Sequence, residues 1–239
     1  MRKISFGQIM FFQVLLLTAI ALGVLTSWFV LGGLPLGDFR GVTLTVGAVI
    51  LIYLYAFMIY RLFLRVLPLH EGDIPEGSRQ EFTAQVNILF YLLLFNSLIR
   101  THFIPVPLMR LVYLALGARL GENTYSAGTI LDPPLTYIGD SSIIGHDAVL
   151  FSHAIEGRNF SLNAIRIGDN VTVGATAVIM SDVVIGDGAI VSAGAVVIKG
   201  TRIGAGEIWG GVPAKMLKGA AASAVDEPTA AHPDKKNLS

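Results

Sequence analysis

The stretch "IRIGDNVTVGATAVIMSDVVIGDGAIVSAGAVVIKG" occupies Ile165 to Gly200. Its aliphatic residues recur neither at the spacing of a helix nor at the simple alternation of a flat strand. Divided into sixes from Ile167, the chain reads IGDNVT, VGATAV, IMSDVV, IGDGAI, VSAGAV, VIKGTR and IGAGEI. Ile167, Val173, Ile179, Ile185, Val191, Val197 and Ile203 head these blocks, and the fifth place holds Val171, Ala177, Val183, Ala189, Ala195 and Thr201. Upstream the frame returns as IGDSSI, IGHDAV and LFSHAI, headed by Ile138, Ile144 and Leu150, and more loosely from Leu120.

A period of six means a short strand plus a tight turn. Three such units close one triangular coil, and stacked coils bury the heading aliphatics in a continuous ladder. The fifth place is small because the wall bends there, and Gly and Asp in the second and third places supply turn conformations. A βα protein with Gly-rich loops is excluded, because no helical pattern separates the strands.

The frame slips once. Between Ile155 and Ile167 the segment "EGRNFSLNAIR" adds residues that do not fit whole blocks, so a loop is pushed out of the wall, where function concentrates. His153, in "LFSHAIEG", stands immediately before it. An imidazole titrates in the range a general base needs, so His153 is the candidate base; a turn histidine in solvent is the plainer alternative. His146, one block earlier in "IGHDAV", is the rival. Two histidines seven apart also suggest a metal, but a zinc site needs three protein ligands and no third is evident, so no metal is expected.

The rest of the chain has a different character. Over 239 residues, 53% are hydrophobic and 14% charged, with no cysteine and a formal net charge of zero. Mean hydropathy is +0.66, too apolar for an ordinary soluble domain. Two runs, Ile9 to Leu31 and Val42 to Leu64, are long enough to cross a bilayer and are read as spanning helices. Arg2, Lys3, Arg61 and Arg65 flank them on one side and Arg40 with Asp38 on the other, which predicts both termini in the cytoplasm. A signal peptide is disfavoured by the length of the first apolar core.

"HEGDIPEGSRQ" (His70 to Gln80) reads as a linker, and Phe82 to Gly117 as helices at the membrane surface, with Arg100 and Arg110 at headgroup level. In that segment an apolar run of about fourteen residues is interrupted by Asn87 and Asn96, which is short for a span. A third span is the alternative, and an odd number of spans would place the repeat outside. The expected organisation is a two-helix anchor (1–68), linker and interfacial helices (69–119), the repeat (120–218) and a disordered tail (219–239). Scattered basic residues exclude a nucleic-acid partner. The absence of cysteine excludes disulfides and thiol catalysis.

The six-residue blocks resemble the left-handed parallel β-helix of hexapeptide-repeat acyltransferases over about Leu120 to Lys218. That resemblance implies a homotrimer with sites between subunits, acetyl-CoA or another acyl-CoA as co-substrate, and a catalytic histidine before a loop, here His153. "IWGGVPAKMLKG" is similar to the GxPAK ending of CoA-dependent members, which implies Lys199, Lys215 and Lys218, with Ala175 and Ala193 on the coils, as cofactor contacts.

"LALGARLG", "LDPPLTYIGD" and "SHAIEGRNFSLNAIRIGD" look like the membrane-linked hexapeptide domains that end certain nonribosomal-peptide-synthetase-like proteins, including epsilon-poly-lysine synthetase. This closer likeness implies Glu156 as a partner that orients His153 or contacts substrate, and Arg158 and Asp132 as substrate contacts. The fold expected is mainly β, preceded by an α-helical membrane domain with two transmembrane helices. The function expected is acyl transfer to a hydroxyl or amine of a membrane-associated acceptor, such as a lipid-linked sugar or exopolysaccharide, at the cytoplasmic face of the inner membrane. Two alternatives stay open: transfer from a carrier protein without CoA, and a non-catalytic trimeric scaffold.

Overall fold

The computed structural model describes residues 3–101 and 103–220. Arg2, His102, and all of the predicted tail but Gly219 and Ala220 lie outside them.

The six-residue period builds three parallel sheets that form the faces of a prism. The first face stacks Arg119–Leu120, Thr136–Ile138, Ile165–Ile167, Val184–Ile185 and Arg202–Ile203. The second stacks Tyr125–Ser126, Ile143–Ile144, Thr172–Val173, Ile190–Val191 and Ile208–Gly210, and the third Thr129–Ile130, Val149–Leu150, Val178–Ile179 and Val196–Val197. Thr172 pairs with Ile190, and Val178 with Val196, so one coil is three blocks. The aliphatics that head the blocks from Ile167 to Ile203 are at most 4% exposed, and Val171, Ala177, Val183, Ala189 and Ala195 at most 1%. They form one continuous core.

The turns work differently from the sequence expectation. The left-handed backbone falls on the fourth place of each block, at Asn170, Thr176, Asp182, Gly188, Gly194, Gly200 and Gly206, with φ from 54° to 77°. The second-place glycine answers another need: a Cβ on Gly168 would collide with Asp187 of the next coil. Close approach of coil to coil, not turn strain, demands glycine there.

Both ends of the ladder are covered. Helix α5 (Val106–Leu116) starts behind Pro105, which cannot continue a preceding helix, and ends at Gly117 with φ 108°. Its Tyr113 hydroxyl donates to the Gly128 carbonyl (2.8 Å) and accepts from the Ile130 amide (3.2 Å), locking the helix onto the first coil. Arg110, expected at headgroup level, instead donates to the carbonyls of Thr124, Leu120 and Gly121. Unpaired carbonyls at the open end of a prism need donors, and this guanidinium supplies them. At the far end Trp209 packs against the ladder, and Lys215–Lys218 folds back antiparallel on Ile208–Gly210.

Before the prism stand α1 (Phe6–Leu31) and α2 (Arg40–Val66), a close pair. Ser5 and Gln8 make a capping box at the start of α1. Gly23 lets the helices touch, since a Cβ there would lie 2.5 Å from Ile52, and the Ser27 hydroxyl donates to the Leu44 carbonyl (2.9 Å). Next comes α3 (Arg79–Phe90), capped by Ser78, which passes through a π turn (Tyr91–Phe95) into α4 (Asn96–Arg100).

These three form one rod of 22 residues, longer than the apolar run expected. Asn87 does not interrupt it, because its buried carboxamide oxygen accepts from the Tyr60 hydroxyl of α2 at 2.7 Å. Phe12 of α1 and Tyr60 of α2 knit the rod to them through ring contacts of 5.1 to 5.2 Å with Phe90 and Phe95. By length and composition, three helices (Phe6–Leu31, Gly37–Val66 and Arg79–Arg100) could cross a membrane. The third is the most enclosed by the protein, 56% buried against 17% and 6%.

Candidate active site

The ejected segment is a hairpin. In regular coils the register advances by eighteen residues, as from Thr172 to Ile190, but from Ile143 to Thr172 it advances by twenty-nine. The surplus leaves the wall as two antiparallel strands, His153–Glu156 and Asn159–Leu162, turning at Gly157. Strand Gly72–Asp73 of the linker pairs with the outer strand, Gly72 opposite Leu162 and Asp73 opposite Ser161. Beneath them Ile74, Ala84, Leu135, Phe160, Leu162 and Ala164 form a separate small core. Glu71 finishes the junction: its carboxylate meets Arg166 at 2.5 Å and accepts from the Ala164 amide at 3.1 Å. The hydrogen bond from Arg166 is the main reason its acidity is strengthened.

His153 lies at the root of this hairpin, where the third face turns toward the first. Its side chain is 29% exposed, and its Nδ1 lies 2.7 Å from Asp132 Oδ2. The same oxygen accepts the amides of Ser152 (2.8 Å) and His153 (3.2 Å). Asp132 is buried immediately before the Pro133–Leu135 turn, whose two prolines favour that tight geometry, and its own carbonyl accepts from Leu135 and Thr136. An ionised carboxylate can only accept, so a neutral imidazole paired with one here would carry its proton on Nδ1 and leave the Nε2 lone pair free. Burial disfavours the charged imidazole, but the hydrogen bond and charge of Asp132 outweigh it and raise the His153 pKa above the ordinary imidazole value.

The other predicted residues separate into groups. Glu156, expected to orient the imidazole or contact substrate, meets Lys199 Nζ at 3.2 Å; the carboxylate on the imidazole is that of Asp132, expected to contact substrate. Lys199 also donates to Ser161 Oγ (3.3 Å), so it braces the hairpin. Arg158 reaches outward to Glu76 of the linker at 3.1 Å. Ala175 and Ala193 are exposed and stacked in successive coils, with Ala175 accepting from Gly194, but at the corner between the second and third faces. Lys215 and Lys218 lie exposed on the last strand. Within one chain, then, His153, Asp132, Glu156 and Lys199 gather at the hairpin, and Ala175, Ala193, Lys215 and Lys218 do not.

The rival His146 faces solvent beside Asp147 at 3.3 Å. Among the described residues no three His, Cys, Asp or Glu side chains converge as a metal site. The Asp132–His153 pairing spans twenty-one residues and a whole coil. Its sequence signal was an aspartate in the third-face position just before a Pro-Pro pair, one coil below a histidine.

Residues 164–199 match the family model described as bacterial transferase hexapeptide (six repeats). Over those residues the wall carries a transferase-type hexapeptide repeat. Among solved structures, a hexapeptide-repeat acetyltransferase from Vibrio cholerae O1 biovar eltor in complex with acetyl coenzyme A is 28% identical, with a TM-score of 0.39, covering 43% of this chain and 60% of its own. A maltose O-acetyltransferase from Clostridium difficile 630 is 24% identical with a TM-score of 0.40, covering 44% of this chain and 60% of its own. A galactoside acetyltransferase in complex with coenzyme A is 23% identical with a TM-score of 0.44, covering 66% and 90%. This chain spans less than two thirds of the first two. No curated protein sequence matches it.

Proposed function

We propose that this chain is a membrane-anchored acyltransferase that moves an acetyl or other acyl group from CoA to a hydroxyl or amine of a membrane-associated acceptor such as a lipid-linked sugar. The observation that carries it is the Asp132–His153 pair at the mouth of the hairpin, on a wall of transferase-type repeats. His153 Nε2 takes the acceptor's proton as its oxygen or nitrogen attacks the thioester carbonyl. The C–S bond then breaks, the imidazolium returns the proton to the departing thiolate, and free CoA and the ester or amide result. Asp132 holds the ring in the required tautomer and stabilises the imidazolium.

In this reading residues 1–68 anchor the protein, residues 120–218 form a left-handed prism, and three copies assemble. Assembly would set the Ala175–Ala193 corner of one copy against the His153 corner of the next. Methyl side chains there leave backbone groups open to a pantetheine arm, and Lys215 and Lys218 are available to phosphates. With α1 and α2 as its two spans, the prism faces the cytoplasm.

The full chain, purified in detergent, should release CoA from acetyl-CoA in the presence of lipid-linked saccharide, and His153→Ala should lower the rate about 10²–10⁴-fold. Undiminished transfer by that variant would refute the assignment. Calorimetry showing no CoA binding, alongside turnover of an acylated carrier protein, would move the donor to the carrier. Because the chain has no cysteine, a single Ala193→Cys thiol reports the side of the membrane: labelling from the cytoplasmic face is expected.

A further inference from the structure

A cavity of about 1040 Å³ opens between the last turns of α2, the linker, the end of α5 and the first coil. Arg61 and Arg65 enter it from α2 and Arg119 from the first coil. Among the described residues none of the three makes an ion pair; Arg119 lies over the Tyr137 ring, 5.0 Å from its centroid. The one carboxylate in the lining is Glu71, and it is already neutralised by Arg166. Three guanidinium groups therefore converge on one hollow without a counter-charge, an arrangement that raises the local potential and favours an anion. Gly117 makes room for this: a Cβ there would lie 2.6 Å from Arg61 Nη1.

The hollow's other wall is apolar and open. Met58 and Leu62 of α2 line it and are 65% and 59% exposed, on a helix long and apolar enough to cross a membrane. A soluble anion would have no use for that wall. Guanidinium forks match phosphate oxygens, and hydrocarbon matches α2.

We infer that this cavity binds a phosphate-bearing lipid, its headgroup among Arg61, Arg65 and Arg119 and its chains along Met58 and Leu62. The inference rests on the membrane reading of α2 and is independent of acyl transfer. Leu135 lines the cavity and its carbonyl accepts from Ser152 Oγ at 3.2 Å, so the cavity adjoins the turn that carries Asp132 and leads to His153.

The test titrates the full chain, in an uncharged detergent, with dioleoyl phosphatidic acid, with dioleoylglycerol and with inorganic phosphate, following thermal unfolding. Phosphatidic acid should raise the unfolding temperature saturably, and the other two should not. Arg61→Gln combined with Arg119→Gln should raise the half-saturating concentration at least about tenfold. Arg40→Gln, at the opposite end of α2, should leave it unchanged. Equal stabilisation by dioleoylglycerol, competition by equimolar inorganic phosphate, or a double variant that titrates like the parent would overturn the inference. Should the double variant fail to fold, the parent's response to phosphatidic acid against dioleoylglycerol decides. His153→Ala should keep the lipid response while losing transfer, which separates this site's failure from that of the enzymatic reading.

Discussion

Val24 and Ile185 are both aliphatic residues in apolar stretches, yet Val24 is 48% exposed on α1 and Ile185 is 1% exposed inside the prism. The whole molecule divides along this line. The prism turns every sixth side chain inward and closes its own core, whereas α1 and α2 turn large side chains such as Leu22, Phe29, Val46 and Leu54 outward. One region is its own apolar solvent. The other leaves its apolar surface uncovered, and by length and composition its helices match the hydrocarbon thickness of a bilayer.

A matched truncation separates the two regions most strongly. Ile185→Ala should destabilise the protein by about 2–5 kcal/mol through a cavity in the ladder, while Val24→Ala should stay within about 0.5 kcal/mol in detergent-based unfolding. Similar losses at both would mean that α1 is packed inside a larger assembly. A smaller effect is expected at glycines: Gly168→Ala should cost about 1–3 kcal/mol by forcing coils apart, and Gly33→Ala, with open space around it, should be neutral.

The candidate site should also respond to pH. In the proposed reaction His153 acts as a neutral base, and its pKa is raised by Asp132, so activity should climb with pH through a midpoint above about 6.5. Asp132→Asn removes the charge and should shift that midpoint to lower pH, with a plateau about a hundredfold lower. The linkage to stability has the opposite sense. The protonated pair contributes fully below about pH 6.5, and its contribution fades as pH rises through the folded-state pKa, a trend that calorimetric unfolding of wild type against Asp132→Asn would measure. Smallest of all, Glu71→Gln should loosen the linker by about 0.5–1 kcal/mol, read as faster amide exchange at Ala164.

What could be read from the sequence follows the same division. The ladder was legible because a strict period of six leaves one residue in each block to face the axis, and the single slip at Glu156 to Arg166 marked the hairpin. The continuity of the third rod was not, because Asn87 looks like a break until Tyr60, from another helix, satisfies its carboxamide. Arg110 and Glu156 meet partners that local pattern does not show, for a related reason: carbonyls at the prism's open end claim one, and Lys199 from two coils on claims the other. Local pattern reports what a side chain wants. Only the assembled register reports what it finds, as with Asp132, set beside His153 by a step of twenty-one residues.

Because every regular coil repeats its neighbour's geometry, storeys such as 179–196 can be spliced out or duplicated as whole units without disturbing the floor plan. His153 and its hairpin belong to the lower floors, tied to the linker by Gly72 and Asp73. The height of the tower above the hairpin is therefore adjustable, while the distance of the imidazole from the linker stays fixed.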